Sequence, residues 1–317
     1  MSRVLVIGAA GMIGRKLVQA LAKEEAGELI LHDVVPFAGA SAVSDLSAPG
    51  EAEKLLASRP ELIFHLAAVV SGEAEADFDK GYRVNLEGTQ RLFAAIRKEN
   101  YRPRVVFTSS IAVFGAPFPE AIDDEFLSAP LTSYGTQKAI GELLLSDYSR
   151  RGFMDGIGIR LPTICVRPGQ PNKAASGFFS GIIREPLAGQ EAVLPVPETV
   201  RHWFASPRAA VGFLLHAARI DTGQLGARRN LNMPGISATV AEQIAALRKV
   251  AGDKVAQRIR REPDATVQRI VEGWPRNFDP QRALALGFRA DASFEDIIHA
   301  HIEDELQGSS APRPARA

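Results

Sequence analysis

Tyr134 is the one tyrosine of four that has a lysine four residues further on, Lys138. On a helix that spacing puts phenol and ammonium on one face. A free phenol titrates near ~10 and is a poor base at neutral pH. A fixed ammonium, helped by a positive nicotinamide, stabilises the phenolate, and a drop of about three units corresponds to roughly 4 kcal/mol of differential stabilisation. The pair then serves as an acid/base. A second constellation lies near the start of the chain, where GAAGMIG carries Gly8, Gly11 and Gly14. Between a strand and a helix, such a run lets backbone amides, those of Met12 and Ile13 among them, and the positive helix end cradle a pyrophosphate. Gly8 permits the sharp turn, Gly11 lets backbone approach phosphate and Gly14 allows close packing of helix on strand. Asp33, 19 residues beyond Gly14, suits a carboxylate that accepts from the adenosine ribose hydroxyls and repels a ribose 2′-phosphate. Val34 and Val35 follow it with no arginine beside them, so the expected dinucleotide is NAD. Asp45 and Leu46 are expected at the adenine edge.

These groups need a frame that brings distant segments together. RVLVIG (3–8) reads as a strand and Met12 to Lys23 as a helix; ELILHD, the helix 51–58, ELIFHLAAV, the helix 83–98 and RVVFTS repeat the alternation. A helix over 134–151 and the strand GIGIRL extend it. The pattern predicts an α/β fold, a Rossmann-type doubly wound parallel sheet of at least six strands whose apolar runs suit strands covered on both faces. After Arg167, RPGQPNKAASGFF interrupts regular structure and opens a smaller, mixed α/β C-terminal lobe for substrate. Residues 205–220 read as helix, RNLNMP as one more strand and 239–250 as an amphipathic helix opened by a threonine cap. The expected division is 1–166 for the NAD-binding domain, with 201–235 returning to it, 167–200 and 236–307 for the substrate lobe, and 308–317 as a disordered tail.

Composition narrows the function. Lysine plus arginine and aspartate plus glutamate each number 37, so net charge is zero and no basic field is present to hold nucleic acid or an anionic membrane. The longest apolar runs are far short of the ~20 residues that span a bilayer, and no export signal is visible. The single cysteine, Cys165, reads as a small buried apolar residue in a reducing compartment, which suggests the cytoplasm. The six histidines make no metal-ligand spacing, and no metal is expected.

Four motifs in order, GAAGMIG, HLAA (65–68), TSSIAVFG (108–115) and YGTQK (134–138), resemble those of the extended short-chain dehydrogenase/reductase superfamily, which includes the NAD-dependent epimerases and dehydratases. The resemblance implies a Ser-Tyr-Lys site. Ser110 stands four residues before Phe114, at the superfamily's catalytic serine, with Ser109 as its rival, since an alternating strand presents only one of them to the cavity. The resemblance further implies that Lys138 also binds the nicotinamide ribose, that Leu66, Ala67 and Ala68 line the cofactor, and that Asn85 sits at a helix kink supporting the active-site backbone. Pro162 and Thr163 are expected against the nicotinamide carboxamide. The implied reaction removes the proton of a secondary alcohol to Tyr134 while hydride leaves the same carbon and Ser110 holds the oxygen.

For the alcohol, the acid/base pair that dehydratases carry after the serine-rich strand is replaced by Ile111-Ala112, which disfavours dehydration. Arg167, Asn172, Ser176, Phe179 and Arg184 lie where the superfamily builds its substrate pocket, and Arg201 and His202 follow. Arginine grips a carboxylate bidentately and asparagine or serine reads hydroxyls, which matches a small sugar acid. Ser71 and Ile111 are also expected to touch substrate. The stretches RLPTICVRPGQPNKAASGFFSGIIREPLAGQ and HWFASPRAAVGFLLHAA resemble a branch that oxidises the hydroxyl beside a sugar-acid carboxylate, which implies D-erythronate and NAD giving 2-oxo-tetronate and NADH. Uronate or other aldonate oxidation, and epimerisation with retained NAD, are the competing readings. Long helices over 83–98 and 134–151 imply, by the same resemblance, a homodimer.

Overall fold

The computed structural model describes residues 2–169 and 176–306. In chain order the first half runs β1 (Arg3–Ile7), α1 (Met12–Lys23), β2 (Glu28–Asp33), β3 (Ala42–Val43), α2 (Glu51–Leu56), β4 (Leu62–His65), α3 (Ser71–Ala76), α4 (Phe78–Gly81), a π-helical segment Tyr82–Glu87, α5 (Gly88–Glu99), β5 (Arg104–Ser110), α6 (Ser133–Arg150) and β6 (Asp155–Leu161). The second half runs β7 (Thr163–Ile164), α7 (Gly177–Leu187), β8 (Ala192–Leu194), β9 (Arg201–Ala205), α8 (Pro207–Arg219), β10 (Asn230–Asn232), β11 (Ile236–Thr239), α9 (Val240–Ala251), α10 (Asp253–Ala256), β12 (Ile259–Arg261), α11 (Ala265–Glu272), α12 (Gln281–Ala285) and α13 (Phe294–His301).

Seven strands form one parallel sheet in the order β10-β6-β5-β4-β1-β2-β3. Alternation along β1 explains why both faces are covered. Val4 and Val6 pack with Leu17 and Leu21 of α1 and Phe213 and Leu214 of α8. Leu5 and Ile7 point the other way, into Leu55 and Leu56 of α2, Phe93 and Ile96 of α5 and Leu145 of α6. Full burial of each such side chain is worth roughly 1.5–3 kcal/mol. The order reverses between β1 and β4, so a crevice opens beyond the carboxyl ends of those strands, the usual ligand position in an open α/β sheet. The turn after Ile7, the loop after His65, Ser110 and the segment after Leu161 all lie along that edge.

Two expected elements are shorter than the apolar pattern suggested. β4 ends at His65, because Val69 turns its amide and carbonyl to the Asn85 side chain, at 2.9 and 3.1 Å, instead of to a neighbouring strand. The expected helix 83–98 is interrupted: its first turn is the π-helical segment, where an extra residue per turn delivers Asn85 inward. Helix α9 begins as expected, with a reciprocal capping box between Thr239 and Glu242.

The remaining strands make two small sheets, β11-β9-β7 and β12-β8. β9 thus belongs to a small sheet, whereas α8 and β10 join the main one. The C-terminal lobe has its own core of Phe179, Ile182 and Ile183 of α7, Phe204 of β9, Leu247 of α9 and Ile297 and Ile298 of α13. An aromatic cluster of Phe114, Trp203 and Phe278, with Ile111, Val113 and Ile122, joins the two parts behind the crevice. Cys165 is buried and free. No helix among the described residues is long and apolar enough to cross a membrane. The expected tail 308–317 lies outside the described residues.

Candidate active site

The nucleotide side is built from backbone. Gly8 has φ +93°, and a Cβ there would stand 2.7 Å from the Ala67 nitrogen. A Cβ on Gly14 would stand 2.1 Å from the Gly8 carbonyl oxygen, so helix α1 seats against the turn only because position 14 has no side chain. Gly11 is the N-cap of α1 and brings no side chain to cap the first-turn amides. A side-chain-free cradle at the positive end of a 12-residue helix fits the pyrophosphate of a dinucleotide. Asp33 closes the turn: one carboxylate oxygen accepts the Ala10 amide at 2.8 Å and the other the Val35 amide at 3.1 Å.

Other residues expected around NAD are placed more unevenly. Leu66, Ala67 and Ala68 form the half-buried loop facing Gly8, and Leu66 donates its amide to the Ile7 carbonyl at 2.9 Å. Asp45 spends both oxygens inside the protein, one on the Ser47 amide and hydroxyl at 2.9 and 2.6 Å, the other on Arg83. Burial opposes its ionisation, but these partners outweigh it and hold the carboxyl below its usual value. Leu46 is buried. Asn85 is a structural clamp: besides Val69 it donates to Gln137 Oε1 at 2.7 Å, tying the loop after β4 to α6. Thr163 Oγ1 lies 2.6 Å from His202 Nε2.

Helix α6 is opened by Thr132, whose hydroxyl accepts the Gly135 amide at 3.0 Å, and this places Tyr134 in the first turn, over the end of β5. The structure separates the two serines. Ser109 is buried and donates to Glu142 Oε1 at 2.5 Å, whereas Ser110 is half-buried, accepts the Ala112 amide at 3.1 Å and lies near enough to the Tyr134 phenol to influence its ionisation. Lys138 is buried one turn further on; its Nζ donates to the Thr108 carbonyl at 2.9 Å and lies 5.8 Å from the centre of the Tyr134 ring.

Burial dominates the electrostatics of this pair in the protein alone. It raises the Tyr134 phenol above its ordinary value, and the Ser110 hydroxyl and the Arg167 guanidinium only moderate the rise. Burial also pulls Lys138 down to about 8, with the Glu142 carboxylate opposing it. One of the three N–H donors of the lysine ammonium is given to the strand backbone. The positive charge of an oxidised nicotinamide, were it bound beside the phenol, would favour the phenolate.

Of the residues nominated for substrate, Arg167 is the one whose charge is felt at the Tyr134 phenol. Its Nε donates to the Ile164 carbonyl at 3.1 Å and its amide to Ser180 Oγ at 3.0 Å, while its two terminal nitrogens meet no partner among the described residues. Arg184 turns instead to the Arg167 carbonyl, at 2.7 Å, and to Glu185, at 2.5 Å. Arg201 is spent on the Ser237 carbonyl, at 3.1 Å, and on Glu242, at 3.3 Å. Phe179, expected against substrate, is a core residue with no exposed surface, stacked on His202 and set edge-on to Phe204. Ser176 is half-buried at the start of α7, Ile111 is buried beneath Tyr134 in the short turn after β5, and Ser71 begins α3. Asn172 lies outside the described residues. Sequence reasoning missed Ser180, Arg160 and Glu142; the last was visible as the next residue on the helix face after Tyr134 and Lys138.

Residues 4–230 match the NAD dependent epimerase/dehydratase family. The chain is 48% identical to the D-erythronate dehydrogenase of Cupriavidus necator, over 95% of this chain and 98% of that one. It is 41% identical to the D-erythronate dehydrogenase of Haemophilus influenzae, over 96% and 100%. The crystal structure of a protein from Agrobacterium tumefaciens described as a nucleoside-diphosphate-sugar epimerase superposes with a TM-score of 0.93 at 65% identity, covering 97% of this chain and 95% of that one.

Proposed function

Since this chain belongs to the NAD-dependent epimerase/dehydratase family, we propose that it oxidises the hydroxyl next to the carboxylate of D-erythronate, giving 2-oxo-tetronate and NADH. The broader statement, an NAD-dependent dehydrogenase acting on the CH–OH group of a sugar acid, follows from its relatives. One observation carries the finer reading: the guanidinium of Arg167, with its terminal nitrogens uncommitted among the described residues, lies within electrostatic reach of the Tyr134 phenol. A carboxylate held there by paired N–H donors brings the neighbouring carbon, and the hydroxyl on it, to the phenol.

NAD, held by the glycine turn and Asp33, supplies the ring that accepts hydride and a positive charge near the phenol. Tyr134, as phenolate, would take the hydroxyl proton as the hydrogen on the same carbon leaves with its electron pair, for which a bound NAD would be the acceptor, so that the alcohol becomes a ketone. Ser110 donates to the oxygen as it becomes a carbonyl, and Lys138 keeps positive charge behind the phenolate. The same reading takes the protein as a homodimer through α5 and α6.

The test is NADH absorbance on mixing the protein and NAD with four- to six-carbon aldonic and uronic acids. The reading expects a signal with D-erythronate that Tyr134→Phe abolishes; a stronger signal with a uronate would reassign the substrate. A second reading, epimerisation with retained NAD, is favoured by the description of the Agrobacterium protein. It expects no net NADH and cofactor that stays bound through gel filtration.

A further inference from the structure

Helix α6 presents three side chains to the end of β5 at successive turns. Tyr134 lies near the Ser110 hydroxyl, Lys138 donates to the Thr108 carbonyl at 2.9 Å and Glu142 accepts the Ser109 hydroxyl at 2.5 Å. The first two belong to the site proposed above, and the third has no part in it so far. Glu142 is 4% exposed. A lone carboxylate at that depth would take up a proton instead of staying charged. Arg160 of β6 pairs with Glu142, donating from Nε at 2.8 Å and from Nη2 at 2.7 Å to the two carboxylate oxygens. Arg160 is itself held: it donates to Asn232 of β10 at 3.1 Å and to Ser128 at 3.2 Å, and its guanidinium lies 4.8 Å from the centre of the Phe114 ring. Three strands and the loop before α6 therefore converge on one carboxylate beneath the helix that carries Tyr134.

A buried ion pair adds little net stability over well-packed apolar groups of the same shape, so stability alone does not account for it. Geometry does. Ser109 and Ser110 project to opposite sides of β5, so pinning the Ser109 hydroxyl fixes the rotation of the strand end and, with it, where the Ser110 hydroxyl points. Resting on the Ser-Tyr-Lys reading, we propose that Glu142 is a positioning residue for hydride transfer: through Ser109 it sets Ser110 against Tyr134, and it places a fixed negative charge one helical turn from Lys138.

The groups facing Lys138 are Tyr134 and Glu142 on its own helix, His65 of β4 and the Phe107 ring of β5, 5.0 Å from Nζ. Burial drives His65 down to about 3, so it is neutral at working pH, and the Glu142 carboxylate is the group that favours the ammonium.

Two variants separate the roles. Glu142→Gln keeps the shape and removes the charge, so Lys138 loses its proton more readily; the basic limb of the kcat/KM profile moves about one pH unit lower. The pH at which an acylating probe begins to label Lys138, read by mass spectrometry, falls with it. Ser109→Ala keeps the charge and frees the strand end, so kcat drops roughly tenfold with KM and the basic limb unchanged. A basic limb that stays in place in Glu142→Gln, or an unchanged kcat in Ser109→Ala, overturns the proposal; if the glutamine variant does not fold, kcat of Ser109→Ala decides. Tyr134→Phe is measured alongside. Full activity there would remove the Ser-Tyr-Lys reading itself, whereas its loss beside wild-type behaviour of the other two variants counts against Glu142 alone.

Discussion

On the nucleotide side of the crevice the contacts are backbone or backbone-directed: the Gly8 turn, the unadorned first turn of α1, and Asp33 receiving two main-chain amides. On the side proposed for substrate, side chains take part in every contact: Arg167 is propped by the Ser180 hydroxyl and the Ile164 carbonyl, and Thr163, where the two sides meet, is held by a histidine enclosed in aromatic rings. The first construction accepts a cofactor common to many enzymes and tolerates little change in shape. The second can be re-aimed by a few substitutions, which is how one fold serves different alcohols.

The largest break in that comparison comes where the two sides meet. Tyr134→Phe removes the group proposed to accept the proton and leaves the glycine turn untouched. Turnover should fall about 10³-fold, while NAD affinity, measured by protein fluorescence quenching, stays near wild type. A parallel loss of NAD binding would mean that the two sides are not separable. Next in size is the contrast between two arginines. Arg167→Leu should raise KM for the sugar acid about 100-fold, the worth of a bidentate charge-assisted contact. Arg201→Leu, which loses only the Ser237 and Glu242 contacts, should leave KM within about threefold. Equal effects would put the carboxylate elsewhere.

A third substitution sharpens the nucleotide side. In Gly14→Ala the added methyl would lie 2.1 Å from the Gly8 carbonyl oxygen, so the helix must back away from the turn. The cost is about 2 kcal/mol of stability, as for other overpacked positions, and NAD binding weakens, both visible in thermal melts with and without cofactor. A melt unchanged from wild type would show that the cradle is looser than its geometry.

The same contrast governs what could be read from the sequence. Six of the seven strands of the main sheet were legible because most of them are apolar runs bounded by turn residues, and the nucleotide turn was legible because glycine at 8 and 14 has a steric reason that neighbours do not alter. The two- and three-residue strands β3, β7, β8 and β12 carry too few residues for a period to show. The irregular turn at Asn85 was expected as a helix kink from the resemblance, but its partners Val69 and Gln137, distant in sequence, were not. Arg167 and Arg201 look alike as letters, and what distinguishes them is whether a carboxylate such as Glu242 lies within reach. Phe179 was nominated from its place in a substrate segment, but a large aromatic on the inner face of a short helix fills the lobe's core first.

His202 gives the smallest effect and the finest test of the substrate side. Its Nδ1 lies 2.7 Å from the Pro275 carbonyl, an acceptor only, so Nδ1 must carry the proton. Nε2 then accepts from the Thr163 hydroxyl, which fixes where that hydroxyl's remaining lone pairs point. Burial between Phe179, Phe204 and Trp274 pushes the imidazole down to about 4 from 6.5, so the ring stays neutral through mildly acidic solution. The unfolded chain takes up that proton below about 6.5 and the folded chain does not until about 4, so stability falls as pH drops through this window. His65, pushed down to about 3, and His301, to about 4, act in the same direction. Each such histidine steepens the loss by up to about 1.4 kcal/mol per pH unit. Denaturant unfolding between pH 7 and 5 should therefore show a shallower decline in His202→Gln than in wild type. Equal slopes would mean that the folded protein already admits a proton at this ring, and that Thr163 is held less firmly than the backbone-built half of the site.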